Sequence, residues 1–267
     1  MYTLDQIMSG KRIRAPRIID IGVEKVGKSS FAAGAPNPFF LPIKGEEGID
    51  DLNVKHSPVC ETFADVLGWL GYLYHEKHKF ETVVIDSMST LEPLIWAATC
   101  ARHGVTNIEE VLEGFSKGYK EALTEWRILT DWLDALRNDR NMTVILIGHV
   151  EIGKVNEPPL EAFDTFLFDI HKKAAAQLSR WADSIVFCNY KTIVTKEALG
   201  FGKEKGIGVD MGGGDRFLFT RKTPAHPGGG RGVYGRLPDE LPLNWPAYAA
   251  AIKAQIAAEK NPPAAVE

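Results

Sequence analysis

Residues 22–29 read Gly22-Val23-Glu24-Lys25-Val26-Gly27-Lys28-Ser29, a complete G-x-x-x-x-G-K-S spacing. A loop of this kind surrounds a β-phosphate with backbone N–H groups. Its lysine reaches the β and γ oxygens, and its serine hydroxyl ligates Mg²⁺. The flanking residues suit that chemistry. Arg17–Ile21 is a short apolar run of the kind that forms a buried parallel strand. Ser29-Ser30-Phe31-Ala32-Ala33 can open a helix, whose N-terminus favours anions. The expected ligands are ATP and Mg²⁺, with residues 22–30 (Ser30 included) around the phosphates.

Three further strand ends carry polar groups. Thr82-Val83-Val84-Ile85-Asp86-Ser87 is an apolar run closing on a carboxylate, and Asp86 is the expected partner of Ser29 at the metal. Phe39–Ile43 leads into Lys44-Gly45-Glu46-Glu47-Gly48, where a carboxylate would face the γ-phosphate and polarise the attacking water. Glu46 is the first choice as that base and Glu47 the second. Val144–Gly148 ends at His149, placed to hydrogen-bond the γ-phosphate and relay its loss. The catalytic set predicted is Glu46, Lys28 and His149.

Short apolar runs alternate with helical patterns, giving strands at Arg17–Ile21, Phe39–Ile43, Thr82–Ile85, Thr143–Ile147 and Ser184–Cys188. Helices are expected over Glu61–His78, Thr90–His103, Ile108–Asn138, Ile170–Ala182 and Ala247–Glu259. The fold class this predicts is α/β, a mostly parallel sheet with helices on both faces, whose ligands sit beyond the carboxyl ends of the strands. Glu151–Asp169 reads as a mobile loop with Phe163, Phe166 and Phe168 available for base stacking or for packing. Thr192–Lys196 and Arg216–Thr220 read as antiparallel strands flanking a Gly-rich connection, a hairpin region appended to the core. The expected organisation is one ATPase domain over residues 1–260, with a flexible tail at 261–267.

The net charge of −4 argues against a general polyanion binder, but it is unevenly spread. Residues 1–190 hold 20 Lys/Arg against 27 Asp/Glu, residues 191–236 hold 9 against 4, and residues 237–267 hold 2 against 4. The basic late segment supplies Arg216, Arg221, Lys222 and Arg231 as candidates for DNA phosphates or for a cation donated in trans to a neighbour's ATP. Cys60, Cys100 and Cys188 are far apart and in no CxxC pair, so they are expected to be reduced and mostly buried. No run reaches the length of a membrane span, and Met1–Pro16 lacks a signal-peptide core, so a cytoplasmic location is expected.

Taken in order, GVEKVGKS, PIKGEEGIDDL, TVVIDSMSTL and VILIGHVE resemble the RecA-like core: P-loop, glutamate strand, Asp-Ser strand, then γ-phosphate sensor. More narrowly, Arg231-Gly232-Val233-Tyr234-Gly235-Arg236-Leu237-Pro238 with Leu243-Asn244-Trp245 is similar to the close of a smaller group. That group is the phage-encoded ATPases with a reduced RecA-like core that act as single-strand annealing proteins. The likeness spans residues 15–255, with Val23-Glu24-Lys25 in place of the usual glycine-proline start and Gly229-Gly230-Arg231 where a lysine is usual. It implies an ATP-dependent single-stranded DNA-binding protein of phage recombination that promotes annealing or strand pairing with ATP hydrolysis. Its partners would be single-stranded DNA, further copies in a ring or filament, and a single-strand DNA-binding protein. The rival readings are a nucleotide-gated scaffold and a helicase-like or loader ATPase of replication.

Overall fold

The computed structural model describes residues 3–10, 12, 14–46, 48–156, 161–198, 204–210 and 214–260. In chain order the first half runs β1 (Arg17–Gly22), α1 (Lys28–Ala33), β2 (Pro38–Pro42), β3 (Lys55–His56), α2 (Phe63–His75), β4 (Thr82–Asp86) and α3 (Met88–His103). Then come α4 (Lys117–Glu121), α5 (Leu123–Asp139), β5 (Thr143–Gly148), β6 (Val150–Val155), β7 (Phe163–Phe168), α6 (Lys172–Trp181) and β8 (Ser184–Tyr190). The last part holds β9 (Thr192–Ala198), β10 (Glu204–Asp210), β11 (Arg216–Phe219), β12 (Gly229–Gly230), β13 (Glu240–Pro242) and α7 (Trp245–Lys260).

The main sheet has the order β13-β11-β8-β1-β5-β4-β2-β3, with β12 also on β8. From β8 to β3 every pairing is parallel, whereas β11, β12 and β13 join antiparallel. The mostly parallel α/β sheet expected from strand–helix alternation is what forms. β5 lies between β1 and β4, so the residue after β5 projects between the loop after β1 and the carboxylate that ends β4.

Both sheet faces are covered, which is why the central strands are apolar in succession rather than alternating. Ile19, Ile21, Leu41, Val83, Ile85, Val144 and Leu146 face α2, α3, α5 and α6. Ile18, Phe40, Val84, Ile145, Ile147 and Val186 face the other way, onto Phe31 and Ala32 of α1 and Tyr248 of α7. Burying a side chain of this size contributes roughly 1.5–3 kcal/mol. The three cysteines are buried and unpaired, as expected. Among the described residues no helix is long and apolar enough to cross a membrane.

Three expectations are corrected. The single helix expected over Ile108–Asn138 is broken into a 3₁₀ turn at Ile108–Glu113, then α4, then α5. The backbone is left-handed at Leu112, Glu113, Phe115 and Ser116, and Gly114 between them also has positive φ. The apolar spacing survives the break because Ile108, Val111, Trp126 and Leu129 all enter one core. Second, the described parts of Glu151–Asp169 form the β6–β7 hairpin rather than a loop. Phe166 and Phe168 pack half-buried against the core, which favours packing over base stacking for these two rings. Third, Arg216–Thr220 is not the partner of the strand that begins at Thr192. β9 pairs with β10 across a short connection, which closes at lower entropic cost than a hairpin reaching Arg216. β11 instead pairs with β8, burying Leu218 completely. The tail at 261–267 lies outside the described residues.

Candidate nucleotide-binding site

The carboxyl ends of β1, β4 and β5 come into register, with Ile21 opposite Gly148 and Asp86 opposite Ile147. Pro42 pairs with Asp86, so the turn after β2 joins the same edge. Four stretches distant in sequence thus share one rim. The loop leaving β1 passes through left-handed backbone at Lys25 (φ 57°) and Gly27 (φ 108°) before α1 begins at Lys28. Gly27 suits this, since only glycine adopts such a φ freely.

Lys28 is buried and donates through Nζ to the carbonyls of Gly22 (3.0 Å) and Val23 (2.8 Å). The loop is thereby folded around its own cation, with the amine held at the place where phosphate oxygens are to be met. Ser29 donates its hydroxyl to Asp86 Oδ2 at 2.8 Å. A Cβ at Gly48 would stand 3.2 Å from Ser29 Oγ, so the turn after β2 closes over this pair without a side chain in the way. One hydroxyl and one carboxylate fit a hard divalent cation that takes its other oxygens from phosphates and water. Ser29 and Asp86 would hold Mg²⁺, which supplies positive charge against the transferring phosphoryl group. Burial pushes the Asp86 carboxyl up to about 6, against the Ser29 hydrogen bond, and the Glu46 charge adds to the rise.

Glu46 is held from both sides: Ser87 donates to its Oε1 at 2.5 Å, and His149 Nε2 lies 2.8 Å from the same oxygen. Burial alone would raise this carboxyl, but the bonds from His149 and Ser87 outweigh it, and it ends below the usual glutamate value. Glu46 is therefore an oriented carboxylate, able to accept a hydrogen bond from a water at the γ-phosphate position. Glu47, the second choice, lies outside the described residues. His149 also donates its backbone N–H to Ser89 Oγ (3.0 Å), and its carbonyl accepts from Asp169 N (3.1 Å). It thus ties Glu46 to α3 on one side and to the β6–β7 hairpin on the other. Its Nδ1 is buried with no hydrogen-bond partner among the described residues, a site for one further donor or acceptor.

Val26 is fully buried beneath the loop, Val23 is half-buried, and Glu24, Lys25 and Ser30 are exposed. The four late-segment candidates are not brought together. Because β11 runs antiparallel to β8, Arg216 stands at the carboxyl end, and the chain then descends the sheet edge. Arg216 donates to the carbonyl of Val26 at 3.1 Å, so it lies on its own chain's P-loop. Arg221 pairs with Asp239 at 2.9 Å, both exposed. Lys222 lines a hollow shared with Phe163 and Phe166 of β7. Arg231 sits at the opposite, amino end of the strands and donates to the carbonyls of Arg180, Trp181 and Ala182 that end α6.

Two features escape sequence reasoning. Ser87 bridges to Glu46, a link visible only once β4 and the turn after β2 are adjacent. Asp20, in the middle of the apolar strand β1, is wholly buried near Lys28; its Oδ1 accepts from Cys188 Sγ at 2.7 Å and its Oδ2 has no partner among the described residues. Burial pushes its carboxyl up to about 7. The signal for Asp20 is in plain view, a carboxylate inside RIIDI.

Among curated proteins none matches this chain. A family model described as an AAA domain matches residues 14–232, most of the chain and all of the site just described. With its G-x-x-x-x-G-K-S loop between β1 and α1 and its mostly parallel sheet, the chain belongs to the AAA domain family of P-loop ATPases, which bind and hydrolyse nucleotide.

Proposed function

We propose that this ATPase binds single-stranded DNA and promotes annealing or strand pairing in recombination of the phage type. ATP and Mg²⁺ would favour an assembled homo-oligomeric form on the strand, and hydrolysis would release it. The observation that carries the reading is the linkage Ser87–Glu46–His149, which continues through the His149 carbonyl into the β6–β7 hairpin. A group that holds the attacking water's carboxylate and also anchors a surface hairpin gives hydrolysis a route to that hairpin's surface. That hairpin presents Ile152, which is 70% exposed. The RecA-like order of motifs along the chain supports the same reading.

In this cycle Lys28 exchanges its bonds to Gly22 and Val23 for phosphate oxygens. Glu46 orients the water and takes its proton, while His149 holds Glu46 through Nε2 and reports the change to the hairpin. The testing experiment is steady-state ATP hydrolysis with and without single-stranded DNA, with Lys28→Ala as the blank. Strong stimulation by single strands is the expected result. ATP binding with a rate indifferent to DNA would reject the reading in favour of a nucleotide-gated scaffold, and ATP-driven unwinding of a forked duplex would favour the helicase-like rival.

A further inference from the structure

At the amino ends of the strands, remote from the P-loop edge, lies a cavity of about 580 Å³ lined by Arg12, Arg14, Arg17, Arg137, Arg231 and Arg236. The carboxylates paired with them are Asp183, Asp134 and Glu259. Four of the six guanidiniums share these three carboxylates, while Arg12 donates to Met8 and Arg14 to Asn138, in a chain whose overall charge is −4. At the base, Arg17 and Arg137 converge on one carboxylate: Arg17 Nη2 meets Asp183 Oδ1 at 2.9 Å and Arg137 Nη2 meets Asp183 Oδ2 at 3.1 Å. These two are 12–13% exposed at the side chain, so their charge is poorly screened by solvent. Arg12, Arg14 and Arg236 stand exposed around the rim.

A second hollow, of about 330 Å³, adjoins the first at Arg231 and is lined by Arg180 and by Gly228, Gly229 and Gly230, of which Gly229 has open space where a Cβ would stand. Arg231 forms the ridge between them, fixed by its bonds to the end of α6. The cations therefore line two adjoining hollows that share Arg231, rather than one compact pocket. Guanidinium forks match phosphate oxygens, and the open side of Gly229 lets a ligand chain approach the backbone closely.

The geometry points to this arginine trough as the binding surface for the phosphodiester backbone of a nucleic acid single strand, at the end of the sheet opposite the ATP site. The inference rests on the single-strand reading above and gives that strand a location. It also moves the contact from Arg216 and the P-loop edge to Arg12, Arg14, Arg231 and Arg236.

The test is fluorescence anisotropy of a labelled oligo-dT against the full chain, titrated across salt concentrations with ATP present. The variant Arg12→Ala/Arg14→Ala/Arg236→Ala removes rim cations whose partners are Met8, Asn138 and Glu259, so the fold is retained. Affinity is expected to fall on the order of tenfold or more. The salt slope should fall by about 2, at ~0.7 per lost single-strand phosphate contact. The Arg→Lys version of the triple should keep most of the slope, and Arg221→Ala/Lys222→Ala on the sheet edge should leave binding near wild type. Unchanged affinity and slope in the alanine triple, with wild type binding the strand, would overturn the trough and leave the single-strand reading standing. Loss of binding only in the edge pair would do the same. A wild-type protein that binds no oligo-dT, while still hydrolysing ATP, would sink both together. Displacement of the strand by inorganic tripolyphosphate at matched ionic strength would show a site for compact polyphosphate, and would also overturn the proposal.

Discussion

Replacing Asp20 by asparagine changes one atom in a fully buried carboxyl group and should alter how stability depends on pH. The carboxyl is pushed by burial from its ordinary 3.8 up to about 7, so the native state holds its proton where the unfolded chain has released it. A group raised on folding contributes stability that is complete below the unfolded value and is lost as pH rises through the folded value. Each tenfold change in proton activity across that window is worth about 1.4 kcal/mol, so the interval from about pH 5 to pH 7 corresponds to roughly 3 kcal/mol. The asparagine variant cannot pay this cost. Its amide carries a separate penalty beside Cys188 and the unpartnered Oδ2 position, but that penalty does not vary with pH. The quantity to follow is therefore the difference in unfolding free energy between variant and wild type, from urea titrations at steps from about pH 5 to pH 8. The difference should shift in favour of asparagine by roughly 3 kcal/mol over that range and level off above the folded value. Two parallel stability profiles, with the difference moving by less than about 1 kcal/mol, would refute the claim that Asp20 is protonated on folding.

Lys28→Ala should abolish nucleotide binding, read by titration with a fluorescent ATP analogue; affinity equal to wild type would remove the P-loop assignment. Glu46→Gln keeps the hydrogen-bonding shape beside Ser87 and His149, so it should bind ATP normally and lose roughly 10²–10⁴ in turnover. Turnover within a few-fold of wild type would show that another group orients the water. Asp183→Ala leaves the Arg17 and Arg137 guanidiniums without their shared anion and should cost about 3–5 kcal/mol, measured by the urea midpoint at neutral pH. The Asp183 carboxyl ends below its ordinary value despite burial, because Arg17 bonds to it, so its contribution is present above that value and is lost as pH falls through the lower folded one. Arg216→Ala frees the Val26 carbonyl beside Gly27 and should weaken ATP binding several-fold without any DNA present; an effect seen only with DNA would place Arg216 on the strand.

Much of the nucleotide side of the molecule was legible because its signals are local. A strand, a glycine-spaced turn and a helix N-terminus occupy consecutive residues, so their chemistry does not wait on long-range packing. β1, β2, β4, β5 and β8 were found for the same reason: strands buried on both faces must be apolar throughout. The partner of the strand from Arg216 is not legible in residues 216–219, because strands pair with whichever edge is open and here that is the edge of β8. The break at Leu112–Ser116 leaves no mark in the periodicity, which records which face is buried and not whether the backbone between buried residues is continuous.

By itself the sequence determined that a phosphate loop follows a buried strand, that carboxylates and a histidine end other strands, and that positive charge gathers late in the chain. Only the tertiary structure decided that β5 stands between β1 and β4. That order sets His149 against Glu46, and Glu46 against Ser87. Only the fold, too, divided the late cations, sending Arg216 to the P-loop and Arg231 to the other end of the sheet among arginines from residues 12–17 and α5. The physical reason is reach: a motif's spacing fixes neighbours along a few residues, while the order and direction of strands fix which distant side chains come within a hydrogen bond.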